Sequence, residues 1–433
     1  MERPRSFYGW KLLAALWLIL LINLAFPLYG AGVVNTYMAT ALRFDRGTLG
    51  FGFAICQWMT GLPGPLVALC VNRLGARFTL ALGTGFALAG ALLMALLVHT
   101  GTQYELAFGL IVGAGIVTAG PIPTQSCIAR WFTRRKALAI SLLLTGPSIG
   151  GFIAPRVLDS LIAHFGTNWR AGWWLMAGLS CAAMLLALAF VKESPAAIGQ
   201  APDGLAERSA EIEPGAPWAK RGVFRTAEDW AIGEVLRSRT IWLIILAALG
   251  FSTGYSVYLA HGVIHLRDLG YTPAQAASSF SIMMLAMLAG TLAVGAVGDR
   301  IEPRYLWAAG SASFGAGMLL SLHATGTAGL YVYAVFLGVG FGMAFASIMT
   351  LPANYFGAKA YPVIIGIVTA VGTTSGALGA FLAGYSYDHI GSYSPAFDVI
   401  AIACFAGSFL ALLLMPPVRA ISRASSKANS EVA

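Results

Sequence analysis

The sequence predicts an all-α membrane protein of twelve transmembrane helices, arranged as two pseudo-symmetric six-helix halves. Three observations carry this. Of 433 residues 58% are hydrophobic, only 10% are charged and 51 are glycine, a composition suited to a surface that faces lipid. The apolar residues gather in runs of about 20, the length that crosses a hydrocarbon core of roughly 30 Å, and twelve such runs fall between Trp10 and Met415. The cations also sort to one side of those runs.

The predicted spans are 10 to 41, 48 to 70, 78 to 98, 105 to 129, 137 to 163, 170 to 191, 240 to 266, 274 to 298, 305 to 323, 330 to 355, 363 to 387 and 395 to 415. The first follows a short basic start (Arg3, Arg5, Lys11). It is too long for a cleavable signal and lacks a small-residue cleavage site, so it is expected to remain as a helix. With both termini cytoplasmic, 22 Lys and Arg fall on that side and four on the other, Arg43, Arg46, Arg170 and Arg267. This is the bias that positive-inside sorting requires for an even number of spans. One of the 27 cations remains, Arg156, well inside the fifth span.

The net charge of +9 therefore tracks topology, and no nucleic-acid partner is expected. Cys56, Cys70, Cys127, Cys181 and Cys404 are scattered singly, without metal or disulfide spacing. There is no P-loop and no nucleophile with a base at readable spacing, so neither an enzyme nor a cofactor is expected.

Residues 192 to 239 interrupt the pattern with Pro195, Pro202, Pro214, Pro217 and seven cations. They divide the chain into an N-terminal half (1–191), a cytoplasmic linker (192–239), a C-terminal half (240–418) and a cytoplasmic tail (419–433). A short amphipathic helix is predicted near 225 to 239. The halves echo each other. "NRLGAR" (72–77) repeats as "DRIEPR" (299–304) at an offset of 227, "ARWF" (129–132) as "ANYF" (353–356) at 224, and Gly113/Gly115 as Gly338/Gly340 at 225. A duplicated six-helix unit points to a secondary transporter whose site lies near the midplane between halves that alternate access. Gly146/Gly150, Gly109/Gly113, Gly372/Gly376 and Gly338/Gly342 place small residues four apart, which suits a moving gate and static packing alike.

These residues resemble the major facilitator superfamily, whose cytoplasmic loop signature is similar to "VNRLGARF" (71–78) and "VGDRIEPRY" (297–305). Within it the chain resembles the monocarboxylate and oxalate/formate transporter branch, through "YGW" (8–10), "AFP" (25–27), "RWFTRRKALAISLLLTG" (130–146) and "NWR" (168–170). The resemblance covers nearly the whole chain, and implies the major facilitator fold and transport of a small organic anion. Departures are equally visible. In that branch a lysine commonly follows the first-helix proline, where this chain has Leu28, and an arginine is expected in the eighth helix at Thr291. A helix 11 lysine of some oxalate carriers has no counterpart. Those cations bind carboxylate in relatives, so the usual lactate and proton mechanism does not simply carry over.

Arg156 is the candidate replacement, because a cation inside a span is costly unless it meets a cavity or a partner, and guanidinium grips a carboxylate through two parallel hydrogen bonds. The structural alternatives are a salt bridge to Asp159 or snorkelling to the interface. Tyr255, Tyr258 and His261 recur at spacings of three and are candidates for one substrate-facing stripe. His261 is also a candidate for carrying a coupling proton. Tyr29, Asn35, Gln57, Thr118, Thr373 and Thr374 are further candidate pocket residues, each of which could equally tie helices together. Asn72, Arg73, Arg77, Asp299, Arg300 and Arg304 are candidate gate residues, with Asn72 standing where the family signature has aspartate.

The expected cargo is a small anionic molecule, monocarboxylate-like and with aromatic acids in scope, moved by a monomer in a bacterial inner membrane. Two rivals stand beside it. "GPSIGG" (146–151) resembles the core of the helix 5 motif of proton-coupled exporters, although Leu142 replaces its leading glycine and Gly109 stands near the expected helix 4 arginine. A transporter-like ligand sensor is the other.

Overall fold

The computed structural model describes residues 7–44, 46–203, 223–226 and 229–417, and all regular elements among them are helices. Arg3, Arg5, Pro214, Pro217 and the predicted tail at 419–433 lie outside the described residues, as do the side chains of Arg46, Arg267 and Asp388.

α1 runs Gly9–Leu42, and its middle, Leu21–Gly30, is wound as a π-helix. Pro27 sits in that stretch. It has no N–H to close the usual bond to the residue four before it, and the wider turn takes up the mismatch. α2 is bent by 44° between Arg46–Met59 and Gly64–Leu74. α3 (Ala76–Leu96), α4 (Gly101–Trp131), α5 (Lys136–His164) and α6 (Arg170–Phe190) complete the first set. α7 (Arg239–Asp268), α8 (Pro273–Val297) and α9 (Pro303–Leu322) open the second. A helical run Gly326–Ile390 is broken at Gly357 (φ 80°, ψ 178°) into α10 (326–356) and α11 (358–390), and α12 spans Ser394–Leu412. Only glycine adopts that reversal at 357 without strain.

Among the described residues, nine helical runs are individually long and apolar enough to cross a membrane. The bent α2, the split at Gly357 and the more polar α9, with Arg304, Ser311, Ser313 and Ser321, bring the number to the predicted twelve. The duplication is visible in contacts as well as in letters. Arg77 donates to the carbonyl of Leu188 at the end of α6, and Arg304 to that of Leu414 just past α12.

The helix predicted near 225 to 239 is confined to Ile232–Arg237. The reason is local. The Thr226 and Trp230 amides donate to Asn354 O (2.8 Å) and Phe356 O (3.2 Å) at the end of α10, and so are not available for a helical ladder.

Apolar packing is asymmetric across the membrane. On the side that carries the linker, one buried core runs through both halves, from Leu16, Val71 and Ile140 to Ile244, Ile348 and Ile364. On the far side it divides. One cluster, including Phe108, Leu158 and Trp173, belongs wholly to α1–α6, and another, including Met283, Tyr333 and Phe397, wholly to α7–α12. The halves are thus packed together at the linker side and separate cores at the far side.

The glycines follow the same division. All four predicted pairs pack helices within one half. Gly146 and Gly150 seat α1 at Trp17 and Ala25, Gly109 and Gly113 seat α2 at Ile55 and Met59, Gly372 and Gly376 seat α7 at Ser252 and Ser256, and Gly338 and Gly342 seat α8 at Met283 and Met287. Contacts between halves use others. A Cβ on Gly64 would lie 2.7 Å from Gly366 O, and one on Gly295 would lie 2.9 Å from the Ser141 side chain. Only a residue without a side chain lets α2 cross α11 this closely.

Candidate functional site

Where the shared core divides, two tyrosines from opposite halves meet. The Tyr29 hydroxyl of α1 and the Tyr255 hydroxyl of α7 face each other across the halves. Tyr29 also covers Gly151 of α5, where a Cβ would lie 3.0 Å from its ring. Tyr255 lies against Phe341 of α10 with ring centroids 4.1 Å apart, and Phe341 in turn contacts Phe345 at 5.4 Å and Phe251 at 5.5 Å. The result is a floor of two hydroxyls backed by aromatic rings, near the middle of the bundle. Phe341 and Phe345 were not distinguishable in the sequence, because aromatic residues four apart are ordinary in a membrane helix.

The wall from α2 carries Gln57. Gly61, in the bend that follows, packs so closely on Thr373 of α11 that any Cβ there would collide with it. Gln57, beyond that contact, is exposed. Thr374 is exposed too, with its hydroxyl donating to Ala370 O at 2.8 Å within its own helix.

The wall from α5 carries Arg156. Leu138 and Ser141 form the face of α5 that meets Gly295 of α8. Arg156 lies 18 residues beyond Leu138, with Pro147 and Pro155 between them. Its side chain is exposed, Nη1 donates to Phe152 O at 2.8 Å, and the guanidinium lies 4.0 Å over the Phe152 ring. A cation–π contact at an exposed site supplies about 0.5–1 kcal/mol, less than the roughly 2.5–3.5 kcal/mol that an arginine costs at a span centre on insertion scales. The alternative pairing with Asp159 is not made among the described residues. Asp159 accepts from Tyr37 Oη at 2.9 Å, and no carboxylate pairs with Arg156 among the described residues.

Three other predicted pocket residues are turned into the core of their own half. Asn35 is 1% exposed and donates to Tyr104 Oη at 3.4 Å. Thr118 is buried where α4 packs on Gly83 of α3. Tyr258 is buried in a hydroxyl chain with Tyr333 (3.3 Å) and, through it, Ser279 (2.6 Å). The predicted stripe on α7 therefore splits, with Tyr255 at the floor, Tyr258 in the core and His261 toward α11. His261 Nε2 bonds to Ala380 O at 2.9 Å while its Nδ1 is buried without a partner among the described residues. His265 bonds instead to Ser321 O at 3.1 Å, so the two histidines address different helices. Thr291, at the position of the expected arginine, is buried against Gly342 O of α10.

On the linker side the predicted gate residues differ sharply. The Asp299 carboxylate accepts from Ala137 N (3.1 Å) and Leu138 N (3.2 Å) at the start of α5, and pairs with Arg225 at 3.0 Å. These first-turn amides have no acceptor within their own helix, so a carboxylate there satisfies both donors and the helix dipole. Burial pushes the Asp299 carboxyl up from its usual range, while the two amides and the guanidinium pull it back down. Lys136 Nζ donates across the halves to Ala353 O at 3.1 Å, and Tyr361 Oη to Gln125 Oε1 at 3.0 Å. Arg77 and Arg304 bind helix ends within their own halves. Asn72, Arg73 and Arg300 are exposed, and Asn72 makes no hydrogen bond among the described residues.

The linker side is thus closed and hydrogen-bonded, a polar floor lies at mid-depth, and each half has a separate core beyond it. The model of the Major Facilitator Superfamily matches residues 15–360 and 262–432. The chain belongs to the major facilitator superfamily. It is 27% identical over 443 residues to monocarboxylate transporter 13 of Bos taurus (98% of this chain, 93% of the relative). To monocarboxylate transporter 4 of Rattus norvegicus it is 23% identical over 430 residues (96% and 84%). The structure of the proton:xylose symporter XylE superposes with a TM-score of 0.72 at 15% identity, covering 96% of this chain and 97% of that one. This facilitator is thus a multi-pass integral membrane protein and a secondary transporter, in a family of transporters and not of enzymes.

Proposed function

We infer that the protein carries a small organic anion with a carboxylate head group by alternating access, with the linker side and both chain ends in the cytoplasm. The observation that carries this is Arg156, an exposed guanidinium of α5 without an acidic partner among the described residues. Its Nη1 is fixed on Phe152 O and its remaining donors are available to a carboxylate. Leu28 and Thr291 leave the two cation positions of the resembled branch empty of charge, and Arg156 supplies one from another helix. The floor of Tyr29, Tyr255 and Phe341 suits a body that is apolar or aromatic with few polar atoms. The names of the monocarboxylate relatives support the same class. Cytoplasmic placement of the linker side follows from the 22-to-four division of Lys and Arg. The membrane is proposed to be the inner membrane of a bacterium, and the working unit a monomer.

Flux into proteoliposomes tests this. The wild type should accumulate radiolabelled short or aromatic monocarboxylates, and Arg156→Gln should lose at least about 30-fold in affinity, the cost of about 2 kcal/mol for one partner of a desolvated charge pair. Arg156→Lys should recover only part, because a point charge cannot reproduce the two-pronged bond. Wild-type flux in Arg156→Gln would overturn the assignment, and transport of lipophilic cations instead of anions would favour a drug exporter.

A further inference from the structure

The two loop signatures are copies, but only one does the work of a gate. Asp299 reaches across to the first amides of α5, whereas its counterpart Asn72, exposed at the end of α2, reaches nothing among the described residues. The start of α11 is nevertheless held by a carboxylate, since Asp229 of the linker accepts from Lys359 N at 3.2 Å. The start of α5 has a linker acid as well. Asp203 accepts from Arg134 N (3.0 Å), Arg135 N (2.9 Å) and Thr133 N, just ahead of the two amides bound by Asp299.

Between these sits Arg225, whose side chain is 21% exposed. One Nη donates both to the Asp299 carboxylate at 3.0 Å and to Arg134 O at 3.0 Å, so a single guanidinium joins the end of α8 to the turn before α5. Its neighbours are anchored on the C-terminal half. Phe224 N donates to Glu302 Oε2 at 2.9 Å, and the Phe224 and Trp230 rings pack edge-on against Tyr355 and Phe356 at the end of α10.

We propose that the linker is a working part of the cytoplasmic gate: Arg225 straps the two halves shut through Asp299, and Asp229 supplies at α11 the carboxylate that the first loop lacks at Asn72. It rests on the alternating-access reading above, because opening the linker side must separate Asp299 from α5. Arg225 must then release either Asp299 or Arg134. The linker consequently sets how often this side opens, and sequence changes in it alter turnover without touching the substrate floor.

Hydrogen–deuterium exchange of the full-length protein in nanodiscs, without substrate, reads the gate directly. The amides of Ala137 and Leu138 are protected only while Asp299 holds them, so Arg225→Gln should speed their exchange about tenfold, with far-side segments of α1 and α7 unchanged. Arg225→Lys, which keeps the charge, should fall between. Asp229→Asn should speed exchange at the start of α11, and adding Asn72→Asp should restore protection there. Wild-type exchange at 137–138 in Arg225→Gln would overturn the strap, and failure of Asn72→Asp to protect α11 would overturn the replacement. A protein that shows these exchange changes but carries no organic anion would refute the substrate reading and leave the strap standing.

Discussion

The linker side and the far side of this transporter are built from the same twelve helices and opposite packing. At the linker side a single apolar core crosses between the halves, glycine backbones touch at Gly64 and Gly366, and Asp299, Lys136 and Tyr361 make polar bonds from one half to the other. At the far side each half closes its own core, and Gln57 and Arg156 stand exposed. The difference suits the proposed alternating access, in which one fold holds two states. Contacts that must break are few, specific and confined to one side, whereas those that must persist, such as Gly109 on Ile55 and Gly338 on Met283, lie inside a half. The proposed rocking would exchange a small set of contacts without repacking either core.

The contrast can be broken most strongly at the glycine crossing. Gly64→Val places a side chain against Gly366 O, with nowhere to move because the obstacle is backbone. Overpacking costs about 1–3 kcal/mol, enough to depopulate the closed linker side. Labelling of a cysteine placed at Ser141 should rise more than tenfold; unchanged labelling would mean that this crossing does not hold the halves together. Next comes Asp299→Asn, which removes the charge that meets two helix amides and Arg225. A loss of about 1.5–3 kcal/mol should slow turnover severalfold or more while the substrate Kd moves by less than twofold. A pure loss of affinity in equilibrium binding would contradict a gate role.

A smaller effect is expected at the floor. Tyr29→Phe deletes a hydroxyl of the floor that faces Tyr255, for about 0.5–1.5 kcal/mol, and should weaken binding up to about tenfold with little change in linker-side exchange. The smallest is Tyr258→Phe. Its hydroxyl serves only a chain inside the C-terminal half, so melting temperature should fall slightly while Kd stays at the wild-type value. A substrate-affinity defect there would return Tyr258 to the site.

Much of the fold was legible in the amino-acid order, because lipid imposes span length and the cytoplasm imposes charge bias. The repeat was legible too, and Arg77 with Arg304 bear it out by binding equivalent helix ends. What the order of residues did not disclose is direction. In an apolar bundle Asn35, Thr118 and Tyr258 look the same as Tyr29 and Gln57, since polar side chains serve both helix-to-helix bonding and a cleft. Glycine spacing has the same limit: it announces a close approach and does not say to which helix. Gly61 and Gly366, which cross the halves, stand in no conspicuous pair. The linker was hardest, because Arg225 and Asp229 act through partners more than 70 residues away.

The measurement that bears most directly on the central claim is a thermal-shift screen of purified wild type and Arg156→Gln against carboxylates, neutral solutes and lipophilic cations, since a ligand that binds the folded state raises its melting temperature. An Arg156 that anchors the anion predicts stabilisation of the wild type by carboxylates alone, and its loss in the variant. Equal stabilisation of both proteins by carboxylates, or by neutral or cationic compounds in their place, would contradict it.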